Sequence, residues 1–143
     1  MPKIKDSIDI ILPNFNSSKF ISQTIKSIML QNYKNWKLII VDDCSSDSTV
    51  NLIRSIPDKR IKLHINNINV DHVKTFERAI KIAKGDYIFL SDQDDIWVEG
   101  RVDKMIECMV LNNYDVLFSN STKCSSCDGI TVIEKIFGEL MEQ

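Results

Sequence analysis

The amino-acid sequence predicts an α/β fold, a mainly parallel sheet with helices on both faces. Three observations predict it. Short apolar runs alternate with apolar residues at helical spacing along most of the 143 residues. The intervening segments are long enough to hold crossover helices between parallel strands. The polar clusters fall just after the apolar runs, where an open parallel sheet keeps its ligand crevice.

The elements follow in order. Ile8 to Leu12 reads as a first strand, ended by Pro13, and Ile21, Ile25, Ile28 and Met29 then recur at the spacing of a helix face. Lys37 to Val41 reads as a second strand, ended by Asp42 and Asp43, and Val50, Ile53 and Ile56 mark a second helix. Ile61, Leu63 and Ile65 alternate as a third, more exposed strand, followed by a helical stripe of Val73, Phe76, Ile80 and Ala83. The turn residues Gly85-Asp86 introduce Tyr87 to Leu90, expected to be a buried fourth strand. Val102, Met105, Ile106 and Met109 form another amphipathic stretch, and Asp115 to Phe118 is expected to be a short fifth strand. The order βαβαβαβαβ implies right-handed crossovers.

From Ser119 to Gly129 the composition turns to Ser, Thr, Asn, Cys and Asp, an irregular loop. Ile130 to Gln143 then carries Ile133, Ile136, Phe137 and Leu140 on one side of an expected helix. Its apolar face packs either on the sheet or against a second copy of the chain, which leaves a homodimer open. The domain reading is therefore residues 1–120 as the folded domain and 121–143 as loop and C-terminal helix.

Composition excludes several function classes. Only four glycines occur, Gly85, Gly100, Gly129 and Gly138, so neither the dinucleotide fingerprint nor the Walker loop, which need closely spaced glycines near phosphate, is present. Lys and Arg number 18 against 20 Asp and Glu, a net charge of −2 without a basic block, which argues against nucleic acid as partner. No apolar run approaches the roughly 20 residues of a transmembrane helix, and no signal-peptide pattern opens the chain. The default compartment is the cytoplasm, its membrane face included. Four Cys are then reduced thiols. Cys124 and Cys127 show neither the second pair a zinc site wants nor the strand-to-helix setting of a redox motif.

Acid is concentrated. Asp outnumbers Glu by 14 to 6, and six Asp fall in two clusters, Asp42, Asp43, Asp47 and Asp92, Asp94, Asp95. With Pro13-Asn14-Phe15-Asn16, both clusters follow strands and converge on one sheet edge. Two acid clusters on one rim repel unless a cation or hydrogen-bond donors lie between them. A divalent metal with a diphosphate is the economical occupant, since Mg²⁺ or Mn²⁺ takes one or two carboxylates and completes its shell with phosphate oxygens and water. Helix capping by Ser45, Ser46 and Asp47 is the alternative for the first cluster.

The segments Ile8-Asp-Ile-Ile-Leu-Pro-Asn-Phe-Asn, Ser27-Ile-Met-Leu-Gln-Asn-Tyr-Lys-Asn-Trp and Leu38-Ile-Ile-Val-Asp-Asp-Cys-Ser-Ser-Asp-Ser-Thr together resemble the opening of the family 2 inverting glycosyltransferases. Gly85-Asp-Tyr-Ile-Phe-Leu-Ser-Asp-Gln-Asp-Asp-Ile-Trp resembles their DXD region, and Ser91 to Trp97 is similar to bacterial rhamnosyltransferases of polysaccharide assembly. The resemblance runs from about Ile8 to about Asn120 and implies a Rossmann-like GT-A fold, here its donor-binding half. It implies that Pro13, Asn14, Phe15 and Asn16 line the nucleoside pocket. Asp43, with Asp42 beside it, would accept a hydrogen bond from the base, for which an acceptor-only carboxylate is suited. Asp92, with Gln93 beside it, would contact the ribose or the metal shell, and Asp94 would bind the Mn²⁺ or Mg²⁺ that bridges the diphosphate. The implied donor is a UDP-, dTDP- or GDP-sugar, and the acceptor a saccharide or lipid-linked saccharide.

Two departures stand out. Where the family shows Gly-Val-x-x-Asn before its third helix, this chain has Asp71-His72-Val73-Lys74-Thr75, so no role is carried onto His72 or Lys74. The carboxylate general base, which the family places well after the DXD, is not found, so no catalytic residue is assigned. A non-catalytic nucleotide-binding or dimerisation module is the alternative function. A receiver or haloacid-dehalogenase-type domain would place its acid after the first strand, where Asn14 and Asn16 stand.

Overall fold

The computed structural model describes residues 6–117 and 119. Eight elements follow one another: β1 (Ile8–Asn14), α1 (Ile21–Met29), β2 (Trp36–Asp42), α2 (Thr49–Arg54), β3 (Ile61–Ile65), α3 (His72–Ile82), β4 (Tyr87–Leu90) and α4 (Arg101–Asn112). The chain divides into two compact units. Among the described residues, one holds those up to Leu30 together with Lys34–Trp97, the other Gln31–Tyr33 and those from Val98 onward.

The first unit carries the sheet, four parallel strands in the order β3-β2-β1-β4. The chain steps outward from β1 to β2 to β3 and then returns past both to β4. Right-handed crossovers in opposite directions put α1 and α2 on one face and α3 on the other. Accordingly α1 meets α2, and α3 meets β1 and β2. The residues of β1 and β2 are nearly all buried, as expected of strands covered on both sides. Ile11, Ile39 and Val41 form one inner face with Ala79, and Phe76, Ile82 and Ala83 pack against that cluster.

The inward stripe of α3 is therefore Thr75, Phe76, Ala79, Ile82 and Ala83. The expected stripe of Val73, Phe76, Ile80 and Ala83 is corrected: Val73 is 65% and Ile80 42% exposed. The helix carries apolar residues on two faces, and the small Ala79 decides which one approaches the strands. β4 is corrected too. It is not buried throughout: among the described residues β1 is the strand it pairs with, and Phe89 points inward while Ile88 and Leu90 stay exposed.

β1 runs two residues beyond its expected end, with Pro13 level with Val41 and Asn14 level with Asp42. Proline lacks a ladder donor and belongs at edges. Here it costs nothing: Ile11 turns its carbonyl to β4 and accepts from Ser91 N, and two residues on, Pro13 faces the same side just past the last rung.

In the second unit, α4 begins after Gly100 at φ 75° and ends at Asn113 at φ 53°. Gln31 serves its start, donating from Nε2 to the Val98 carbonyl at 2.8 Å and accepting from Val102 N at 3.2 Å. The expected fifth strand is not formed by Asp115, Val116 and Leu117, and Phe118 lies outside the described residues. Val116 is 66% exposed, and Ser119 makes an isolated β-bridge. The expected loop beyond Ser119, the helix of Ile130 to Gln143 and the Cys124/Cys127 pair also lie outside the described residues.

Candidate functional site

Three strand ends of the first unit meet where the topology reverses, between β1 and β4. After β1, Asn14 turns its amide to Asp42 Oδ1 at 2.7 Å and accepts from the Ser17 hydroxyl. Asn16 takes φ 45°, a left-handed conformation that Asn tolerates. From there its Oδ1 accepts from Ser46 N at 2.8 Å, while its own N–H reaches Ser45 Oγ at 2.9 Å. The first two loops are thereby tied together.

After β2, the two adjacent acids divide. Asp42 is fully buried and accepts from Asn14 and from the amide and hydroxyl of Ser45. Asp43 is the first residue past the ladder. Its Oδ1 accepts from Asn66 Nδ2 at 3.0 Å and Val70 N at 2.8 Å, and its Oδ2 from Asp71 N at 3.0 Å. Burial pushes this carboxyl up, but the donors from Asn66, Val70 and Asp71 outweigh it, so Asp43 titrates below the ordinary 3.8. Asp47, at the same loop, behaves alike: burial raises it, the bonds from Thr49 and Ser18 prevail, and it falls to about 2.

After β4, Gln93 is the joint. Its Oε1 accepts from Phe15 N at 2.7 Å, and its carbonyl accepts from Thr24 Oγ1 of α1 at 3.0 Å. Asp95 turns back to accept from Asp92 N at 3.1 Å. Trp97, 3% exposed, donates from Nε1 to Ser91 Oγ and packs its ring 5.8 Å from that of Phe89, so it belongs to the core.

The three ends enclose an open cleft of about 430 Å³. Pro13, Asn14, Phe15, Asp43, Asp92, Gln93 and Asp94 line it together. Of the residues expected there, Asn16 and Asp42 do not line it. Asn16 spends its side chain on the β2 loop, and Asp42, level with Asn14 on the ladder, is turned into the seam between strands. Four lining residues were missed by sequence reasoning, Asn69, Asp71, His72 and Thr75. The signal was the departure from Gly-Val-x-x-Asn. Asp71 sits at φ 79°, ψ 171°, backbone space that is essentially glycine's. The loop keeps a glycine conformation with an aspartate in it.

Among the described residues, no three His, Cys, Asp or Glu gather as a metal cage. The cleft offers two exposed carboxylates, Asp92 and Asp94, and among the described residues no donor meets that of Asp94. Two hard oxygen donors fit a Mg²⁺ or Mn²⁺ whose shell is completed by phosphate and water, and do not fit an all-protein cage.

The family described as Glycosyl transferase family 2 matches residues 9–139. A UDP-Glc:alpha-D-GlcNAc-diphosphoundecaprenol beta-1,3-glucosyltransferase of Escherichia coli, WfgD, is 35% identical over 113 residues, which are 79% of this chain and 45% of that protein. The putative teichuronic acid biosynthesis glycosyltransferase TuaG of Bacillus subtilis is 30% identical over 77% of this chain and 44% of its own. The chain thus spans less than half the length of these relatives. Among solved structures, TarS of S. aureus in complex with UDP superposes with a TM-score of 0.66 at 24% identity, over 74% of this chain and 32% of that one. The mannosyltransferase PcManGT from Pyrobaculum calidifontis, in complex with GDP-Man and Mn²⁺, gives a TM-score of 0.71 at 18% identity over 82% and 35%. These two likenesses establish the fold.

Proposed function

The chain belongs to glycosyltransferase family 2, and from that premise we propose that its cleft binds the nucleoside-diphosphate sugar of an inverting transferase that assembles bacterial cell-surface polysaccharide. One observation carries this reading. Asp43, anchored and ionised, shares a single cleft at the sheet's reversal point with the two unshared carboxylates of Asp92 and Asp94. A base-reading acceptor at one end and a cation-binding pair at the other suit a ligand that ends in a heterocycle and continues as a diphosphate.

Phe15, 44% exposed, offers a ring face to the base, while Gln93 holds its backbone in place. Asp92 and Asp94 would hold Mn²⁺ or Mg²⁺, which when bound supplies Lewis-acid stabilisation of the departing nucleoside diphosphate. The name of one relative supports a sugar donor and a lipid-linked acceptor: WfgD is named for UDP-Glc and a diphosphoundecaprenol acceptor. The rhamnosyltransferase likeness rests on Ser91 to Trp97. The general base of an inverting transfer is assigned to no described residue. No helix among those described is long and apolar enough to cross a membrane.

The test is a thermal-shift panel of UDP, dTDP and GDP with Mn²⁺ or EDTA, on the native chain and on Asp94→Ala. Metal-dependent stabilisation that disappears in Asp94→Ala is expected. Stabilisation that survives the substitution removes Asp94 as a metal ligand.

A further inference from the structure

The wall of the cleft behind Asp43 is a closed circuit of hydrogen bonds, and it prescribes what Asp43 has left to offer. Asn66, 7% exposed, spends both amide hydrogens inside it: Nδ2 donates to Asp43 Oδ1 at 3.0 Å and to Thr75 Oγ1 at 3.1 Å. Its Oδ1 accepts from Arg78 Nη1 at 2.6 Å. A guanidinium only donates, so Arg78 fixes which end of the Asn66 amide faces Asp43. Thr75, 1% exposed, passes its own hydrogen to the Asp71 carbonyl at 2.7 Å. The peptide N–H of Asp71 in turn meets Asp43 Oδ2.

A carboxylate has about four acceptor positions. Asn66 and Val70 fill both on Oδ1, and Asp71 fills one on Oδ2. Among the described residues one remains, because the nearby Thr75 hydroxyl turns its hydrogen to the Asp71 carbonyl, and Asp43 lines the cleft. A single open acceptor suits a base that presents one ring N–H between two carbonyls, as uracil and thymine do. Guanine presents two adjacent donors and leaves one unpaired, and cytosine turns a lone pair toward the carboxylate. Leaving a buried polar group unpaired is what makes such discrimination strong.

We propose that Asn66, oriented by Arg78, is a positioning residue that holds Asp43 with one open acceptor and so sets the cleft's preference for uracil or thymine nucleotides over guanine and cytosine nucleotides. The proposal rests on the donor-binding reading above and adds the two residues that enforce its selectivity. Neither need touch the nucleotide. Their effect passes through Asp43.

The experiment is titration calorimetry of UDP, GDP and CDP with Mn²⁺ on the full chain and on Asn66→Ala, Arg78→Met and Arg78→Lys, with circular dichroism confirming each fold. The native chain is expected to favour UDP over GDP and CDP by about tenfold or more, the scale of one hydrogen bond to a charged group. Asn66→Ala is expected to lower UDP affinity about tenfold and to narrow the UDP:GDP ratio by a similar factor. Arg78→Met narrows it in the same direction, and Arg78→Lys, which keeps a donor for Asn66 Oδ1, restores most of it. Should Asn66→Ala not fold, the two Arg78 variants decide. A merely structural role predicts equal losses for all three nucleotides, and that outcome, or an unchanged ratio, overturns the proposal. A native chain that binds no nucleotide overturns the donor-binding reading with it, whereas one that binds UDP and GDP equally overturns only the selectivity.

Discussion

Asp71 is the residue where sequence and backbone disagree most openly. It holds φ 79° without being glycine, which costs of order 1–3 kcal/mol. Its carboxylate returns part of that by capping α3 through Lys74 N at 3.2 Å, but a cap exchanged for glycine loses only a few tenths of a kcal/mol. Asp71→Gly is therefore expected to raise the unfolding free energy by about 1 kcal/mol in urea titrations. A loss of stability in that variant shows the carboxylate doing more than capping. The acids of the β2 loop make a second residue-scale prediction. Asp47 titrates at about 2 in the fold against an ordinary 3.8. A depressed folded-state pKa contributes stability above the unfolded value that is lost as pH falls through the folded one. Stability is thus expected to decline between about pH 4 and 2 with a limb that Asp47→Asn flattens. An acid limb unchanged by that substitution contradicts the assignment.

Among the elements, the turn into β4 is the most tightly specified. Buried Asp9 of β1 receives the Lys84 and Gly85 amides on Oδ2 at 2.7 and 2.9 Å. A Cβ at Gly85 would lie 2.8 Å from the backbone nitrogen of Asp9, where nothing can yield without moving β1. Gly85→Ala is expected to cost about 1–3 kcal/mol, read as a lowered melting temperature, because overpacking here displaces a strand. A variant as stable as the native chain shows that the close approach is not enforced. Sequence reading identified Gly85-Asp86 as a turn but not why this glycine is needed, since its partner lies 76 residues away. The same distance effect explains the α3 stripe. Helical periodicity is a one-dimensional signal, and two apolar faces satisfied it until Ala79 met Ile11, Ile39 and Val41. β4 misled in another way. A short apolar run reads alike whether all of its side chains are buried or, as in β4, only Phe89 of its four residues is.

At the scale of the whole molecule, the strand-end logic carried furthest. Alternating elements implied a parallel sheet, and a parallel sheet implied that Asn14, Asp43 and Asp94 would share one crevice although they are scattered along the chain. Seven of the nine residues expected at the site do line it. The two that do not, Asn16 and Asp42, are of the same residue types as the lining residues Asn14 and Asp43, but their side chains are taken up by the β2 loop and by Asn14 and Ser45. Asp42 lies level with Asn14 on the ladder, while Asp43 is the first residue beyond it. What the sequence left hidden, Asn66, Asp71, Thr75 and Arg78, reaches the cleft or its wall from the loop after β3 and from polar positions of α3, which apolar periodicity does not locate.

The central claim is that this cleft is a nucleoside-diphosphate site read by Asp43. Calorimetric titration of the chain with UDP, dTDP and GDP, each with and without Mn²⁺, tests it most directly, with Asp43→Ala as control. Single-site binding strengthened by Mn²⁺ and weakened about tenfold or more in Asp43→Ala is the expected result, since a hydrogen bond to a charged group is lost. No binding of any of the three nucleotides, with metal or without, contradicts it.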